Sequence, residues 1–316
     1  MRIAVVAAGG LGGYFGARLA HSGDEVHFIA RGAHLAAMQQ DGLAVRSIFG
    51  DFSVPPDAIH ATAGTTTVGP VDIVLFTVKT FDTDSAMSLL PPLLGPETAV
   101  ISLQNGIDSE ERLTAAIGPE HVVGGVAYVL TGIAQPGVIR HSGGPTRIAF
   151  GEMDGRASPR LEAFLGACQR AGFLVELVRD IRSQLWQKYA FICAQAGLTA
   201  ATRKPIGVLR ETPATWGLFR SIVEEVERVG LAEGVPLPAD LVEQQVALAQ
   251  KLEPTGFASL YDDLVAGRRL ELEALHGELV RRAVRAAVEV PVTTVIYALL
   301  LPWAAGAGTP PARLPN

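Results

Sequence analysis

A β-branched run, Ile3-Ala4-Val5-Val6, leads directly into Ala7-Ala8-Gly9-Gly10-Leu11-Gly12-Gly13-Tyr14-Phe15-Gly16-Ala17. Glycines in such a turn let the backbone approach a pyrophosphate and present the N–H groups of the following helix to it. The spacing is that of the dinucleotide fingerprint G-x-G-x-x-G, with Ala7 in place of the first glycine and Gly9 and Gly12 in the second and third places. A second register, Gly10-x-Gly12-x-x-x-Gly16, fits a looser form of the same pattern. Gly9, Gly10, Leu11 and Gly12 are the candidate phosphate-binding residues. The next β-like run ends Phe28-Ile29-Ala30-Arg31-Gly32. An enzyme for NAD places Asp or Glu about 20 residues past the fingerprint to hold the ribose 2′-hydroxyl. No acid stands there, and Arg31 is available to pair with a 2′-phosphate, so the nucleotide reads as NADP(H).

Other chemistries find little support. The seven histidines (His21, His27, His34, His60, His121, His141 and His276) form no i, i+4 pair and no motif with cysteines or carboxylates, so no metal site is expected. Cys168 and Cys193 are too few for a disulfide framework, and Cys193 lies in an apolar helical stretch that reads as core. Ser142 and Ser183 have no recognisable His/Asp company. Glu224-Glu225 and Arg281-Arg282 read as solvated helix faces.

The elements that must carry the glycine turn follow from periodicity. Runs at 3–6, 25–29, 72–78, 99–103 and 122–126 read as strands, the third and fourth nearly continuous in apolar residues, as buried parallel strands are. Helix-sized segments at 14–21 and 83–94 lie between them, which is the alternation of a doubly wound, Rossmann-like sheet. Around 136–152 a hairpin is expected, with 136–141 and 147–151 as its arms, followed by a helix at 159–171 and a strand at 174–177. Beyond Asp180 only helical periods remain, at 182–202, 213–233, 238–251, 258–266 and 271–288. Thr212-Pro213 starts the second of these and Gly234-Val235-Pro236 stops it. The division expected is a nucleotide-binding α/β domain over 1–179, an all-α domain over 180–303 and a disordered tail over 304–316.

The 316 residues are 48% apolar and 18% charged, with 26 Lys+Arg against 32 Asp+Glu, a formal charge of −6. That balance argues against nucleic acid as a partner. The uncharged stretch 290–311 is interrupted by Pro291, Thr293, Thr294 and Pro302, and its apolar core, 295–301, is far shorter than the roughly 20 residues of a membrane span, so it reads as a buried C-terminal helix. A cytoplasmic protein is the expectation, its amphipathic helices having faces that could bury a homodimer interface.

Taken in order, several blocks resemble the ketopantoate reductase family over nearly the whole chain. They are Gly9…Gly12-Gly13-Tyr14-Phe15-Gly16-Ala17-Arg18-Leu19, Ala30-Arg31-Gly32, Thr77-Val78-Lys79-Thr80, Leu103-Gln104-Asn105-Gly106-Ile107 and Pro136-Gly137…Gly151-Glu152. The second half adds Leu185-Trp186-Gln187-Lys188, Leu198-Thr199-Ala200 and Ala266-Gly267-Arg268…Glu271-Leu272-Glu273. The resemblance implies NADPH-dependent reduction of a 2-keto acid, with Lys188 as general acid and Glu271 as the acidic partner that accepts a substrate hydroxyl. It further implies Asn105 beside nicotinamide and substrate, Lys79 on the cofactor, and Ser259 on the substrate carboxylate. Ile192, Ala196 and Ile206 stand where the family places asparagines. A site built to hydrogen-bond a hydroxylated substrate loses on the order of 1–3 kcal/mol for each partner left unpaired, which favours a more apolar keto acid unless Gln195 or Thr199 compensates. The competing readings are a relative acting on another keto acid or an imine, and a non-catalytic NADP(H)-binding redox sensor.

Overall fold

The computed structural model describes residues 1–307. Two compact units divide them: residues 1–104 with 109–181, and residues 105–108 with the chain from Arg182 onward. The first unit is α/β. Its elements are β1 (Arg2–Val6), α1 (Gly10–His21), β2 (Glu25–Ile29), α2 (Gly32–Asp41), β3 (Leu43–Ser47), β4 (Phe52–Val54), β5 (His60–Thr62) and β6 (Ile73–Phe76). They continue with α3 (Thr83–Met87), β7 (Ala99–Ser102), α4 (Ser109–Ile117), β8 (Val122–Gln135), β9 (Val138–Glu152), α5 (Pro159–Arg170) and β10 (Leu174–Leu177). One sheet takes them in the order β4-β3-β9-β8-β7-β6-β1-β2-β5, with β10 added beside β9.

Strands β7, β6, β1, β2 and β5 are mutually parallel, and Ile3 is in register with both Val26 and Ile73. The chain steps from β1 outward to β2 on one side and later to β6 on the other. The carboxyl ends of β1 and β6 therefore form the switch point at which open α/β sheets bind ligands. Alternation along the buried strands sorts their side chains onto two faces. Ile3, Val5, Ile73, Leu75 and Ile101 enter one core, while Ala4, Val6, Val74, Phe76 and Val100 enter another.

Four expectations need correction in this unit. The helix expected over 83–94 stops at Met87 and resumes only as a 3-10 turn at Pro91–Leu93, because consecutive prolines cannot continue the hydrogen-bonding ladder. The hairpin is larger than expected: its arms are β8 and β9, turning at Pro136-Gly137, where Gly137 has φ 74°. The Ser142–Pro145 stretch, read as the turn, is an irregularity within β9, with Gly144 and Thr146 at positive φ. Strands β3, β4 and β5 had no reading at all; they are short and partly exposed, and their periodicity is correspondingly weak.

The second unit is helical: α6 (Ile181–Thr202), α7 (Ile206–Glu211), α8 (Pro213–Ala232), α9 (Leu241–Gln250), α10 (Ser259–Val265), α11 (Glu278–Ala286) and α12 (Pro291–Leu300). A π-helical turn, Glu273–Gly277, leads into α11 where one continuous helix was expected. Residues 105–108 belong here and not with 1–104, unlike the expected boundary. Gly106 packs against Ala274, and the Ile107 carbonyl accepts from Arg282 at 3.4 Å.

One member of each charge pair read as solvated, Glu225 and Arg282, is internal. Glu225 is 2% exposed and accepts the Val292 and Thr293 N–H groups, each at 2.8 Å, capping α12. Arg282 is 3% exposed and pairs with Glu278 at 2.8 Å and Glu233 at 2.6 Å. Helix α12 itself is only half buried, with Val295 and Leu299 exposed. Ala304 and Ala307, expected in the disordered tail, bond through their backbones to Leu270 and Gly267; residues 308–316 of that tail lie outside the described residues. No helix among the described residues is long and apolar enough to cross a membrane.

Candidate active site

The glycine turn is held by backbone chemistry. Ala7 sits at φ 72°, a left-handed conformation unusual for a residue with a Cβ. Its carbonyl accepts the Gly9 N–H at 2.7 Å and the Thr77 hydroxyl at 2.8 Å, and the same hydroxyl reaches the Val6 carbonyl at 3.0 Å. Gly12 has no room for a side chain: a Cβ there would collide with Thr77, Ala7 and Val5, as one at Gly16 would with Phe28 and Val5. These glycines bring α1 against the sheet. A Cβ on Gly10 would strike the backbone of Thr131 and Gly132 in β8. Gly9 differs, since a Cβ there would meet nothing within 4 Å among the described residues.

Gly9 thus opens onto free space at the N-terminus of α1, whose first turn has no side-chain cap among the described residues. An uncapped helix N-terminus with a bare backbone in front of it suits an anionic phosphate group. A cleft of about 160 Å³ lies alongside, lined by Ala7, Ala8, Gly9, Ala30, Arg31, His34, Val78 and Ile133 among others. These residues fit a dinucleotide. Arg31 is exposed at the N-cap of α2, with no ion-pair partner among the described residues. Lys79 is exposed three residues past the end of β6.

His34 went unnoticed as a functional residue in the sequence. Its Nδ1 accepts the Gly137 N–H at 3.1 Å, so Nε2 carries the proton and donates to the Ala8 carbonyl at 2.9 Å. Burial lowers its pKa, the bond to Ala8 opposing that shift. The neutral ring ties the glycine turn to α2 and to the hairpin turn. The anchoring of Ala7 by Thr77 likewise has no sequence signature.

In the helical unit, Lys188 is half-buried on α6, and Ile192 and Gln195 continue the same half-buried stripe at i+4 and i+7. Ala196 and Ile206 are instead buried in the helical core. Thr199 is fully buried, and its hydroxyl donates back to the Gln195 carbonyl at 2.8 Å, so it does not replace a missing amide. Trp186, beside Lys188 in sequence, is core, edge-on to Tyr189 at 6.0 Å. Glu271 is 7% exposed, two residues before the π-helical turn. Ser259 is exposed as the first residue of α10. Asn105 is half-buried, and Gly106 beside it turns at φ 111°. Asn105, Lys188, Ser259 and Glu271 therefore share one compact unit, while the glycine turn, Arg31 and Lys79 belong to the other.

A dinucleotide-type cradle on a switch-point sheet, joined to a helical unit bearing a lysine, a glutamate and an asparagine, defines the architecture of a two-unit nucleotide-dependent oxidoreductase. Residues 3–155 match the family model "Ketopantoate reductase PanE/ApbA" and residues 180–302 match that of its C-terminal part. The chain belongs to the ketopantoate reductase family. It is 32% identical over 299 residues to the 2-dehydropantoate 2-reductase of Caulobacter vibrioides, covering 94% of this chain and 97% of the relative. It is 31% identical over 300 residues to the uncharacterized oxidoreductase YkpB of Bacillus subtilis, covering 95% and 98%. Among solved structures, a PanE/ApbA family ketopantoate reductase from Ralstonia eutropha JMP134 superposes with a TM-score of 0.87 at 32% identity, over 96% of this chain and 98% of that one.

Proposed function

We propose that this protein is a cytoplasmic NADPH-dependent reductase of 2-keto acids, with 2-dehydropantoate as its first candidate substrate. The observation that carries the reading is the presence of Asn105, Lys188 and Glu271 in one compact unit of a chain whose other unit presents an open glycine turn. NADPH, when bound, supplies the hydride that adds to the keto carbon. Gly9 leaves room for the pyrophosphate to approach, Gly10, Leu11 and Gly12 offer it the N–H groups of the first turn of α1, Arg31 pairs with the 2′-phosphate, and Lys79 adds a second cation. The Lys188 ammonium hydrogen-bonds the keto oxygen and gives it a proton as negative charge develops there. Glu271 accepts a substrate hydroxyl, Asn105 orients the keto acid, and Ser259 donates to the carboxylate.

A second reading, a more apolar 2-keto acid, is favoured by Ile192, the apolar member of the half-buried stripe that begins at Lys188. An NADPH-oxidation assay over a panel of 2-keto acids separates the two. Turnover of 2-dehydropantoate at kcat/KM above ~10⁴ M⁻¹s⁻¹, ordinary for an enzyme on its own substrate, supports the first. A tenfold or greater preference for an apolar acid supports the second. Lys188→Ala should lower kcat at least a hundredfold, in line with the contribution of a general acid, ~10²–10⁴. It should leave NADPH binding intact. Undiminished turnover in that variant refutes the role of Lys188.

A further inference from the structure

The π-helical turn Glu273–Gly277 is the only one among the described residues, and such insertions recur at functional sites because they free and redirect carbonyl groups. Here the redirected groups are in use. The Leu275 carbonyl accepts the Tyr189 hydroxyl, and His276 donates from Nε2 to the Cys193 carbonyl at 3.0 Å. The Ala274 carbonyl lies 3.2 Å from where a Cβ on Gly106 would stand. Two of these contacts are next to a proposed site residue, since Tyr189 follows Lys188 and Gly106 follows Asn105, and the Glu271 carbonyl accepts the Leu275 N–H at 3.2 Å.

The proposed reaction assigns no chemistry to Tyr189 or His276, and both are fully buried. His276 Nδ1 has no hydrogen-bond partner among the described residues. An unpaired acceptor in the core is costly, and against that cost stands the bond that Nε2 makes to the Cys193 carbonyl. Helix α6 is shaped around it as well, since any Cβ at Gly197 would collide with the imidazole. Burial drives the His276 pKa down to about 4, the Cys193 bond opposing, which keeps the ring a neutral Nε2–H donor near neutral pH.

We infer that Tyr189 and His276 are positioning residues: through the π-helical turn they fix the register of α6 against Glu271 and the Asn105-Gly106 turn, and so set where Lys188 delivers its proton. This rests on the proposed reductase reading. A purely structural clamp would change stability and leave the chemistry alone, so the test reads both.

In the full-length protein, Tyr189→Phe removes one hydroxyl, His276→Leu removes the donor at similar volume, and His276→Gln retains a donor near the Nε2 position. Tyr189→Phe and His276→Leu should each lower kcat at least tenfold and shift the alkaline limb of the kcat–pH profile. The NADPH dissociation constant from fluorescence titration should stay within twofold of wild type. His276→Gln should keep at least a third of wild-type kcat. A folded Tyr189→Phe with kcat and pH profile unchanged within twofold overturns the inference, whatever its melting temperature, and decides alone if His276→Leu does not fold. Wild-type protein that fails to oxidise NADPH in the presence of any 2-keto acid of the panel overturns the reductase reading itself and this inference with it; it is measured first.

Discussion

Ala7 is a residue whose type and conformation disagree. It stands in the first glycine place of the fingerprint and holds φ 72°, where an L side chain costs about 1–2 kcal/mol. Ala7→Gly removes that strain but enlarges the conformational freedom lost on folding by about 0.4–1 kcal/mol. The expected net gain is about 0.5–1 kcal/mol, read as a higher urea midpoint at unchanged slope; a lower midpoint would show that the turn prefers alanine. Arg31 carries a second expectation. Its alanine variant should weaken NADPH at least tenfold and NADH less than twofold, and equal losses would refute a 2′-phosphate contact. The glycines were legible in the sequence because close backbone approach dictates the residue type. His34 and His276 were not legible, because their partners are carbonyls and an N–H far away in sequence, at Ala8, Gly137 and Cys193.

Elements were legible in proportion to the regularity of their patterns. The buried strands β1, β6 and β7 announce themselves as apolar runs, and α6 and α8 as long helical periods. The π-helical turn was invisible because one extra residue barely perturbs a helical period over 271–288. Glu225 was misread for a related reason. Its neighbour Glu224 pairs with Arg220 near the surface, and nothing in α8 indicates that the next position points at the start of another helix. At that helix start, the buried Glu225 carboxylate takes two N–H groups and the Thr293 hydroxyl at 2.6 Å. Glu225→Gln replaces one acceptor oxygen with a donor, and hydrogen bonds to a buried charge contribute about 1.5–3 kcal/mol each. The variant should lose about 2 kcal/mol or more in urea unfolding, with faster amide exchange at Val292 and Thr293; an unchanged midpoint would mean that α12 does not depend on this cap.

Across the whole molecule, four histidines share one direction of shift. Burial is the largest influence on His27, His34, His141 and His276, and in each the pKa falls below 6.5, for His276 to about 4. A histidine that resists protonation only when folded leaves the unfolded chain holding more protons, so stability rises with pH across the interval between its two pKa values. That stabilisation is complete above about pH 6.5 and is lost as the pH falls toward the folded values. Glu152 adds a later loss. Burial alone would raise its pKa, but the paired 2.8 Å bonds from Arg160 and the Ser158 hydroxyl bring it below 4.5, so its contribution disappears only as the pH drops through the carboxylate range. Acid destabilisation should therefore begin well above the carboxylate range. His276 is the deepest of the four and should dominate the early part, at roughly 1 kcal/mol per pH unit. Urea unfolding of wild type and His276→Gln at pH 7.0, 5.5 and 4.5 isolates it, because the other three histidines and Glu152 are common to both. The wild type should lose stability more steeply than the variant between pH 6.5 and 4, and parallel slopes would show that the His276 ring takes up its proton in the folded core as readily as in the open chain.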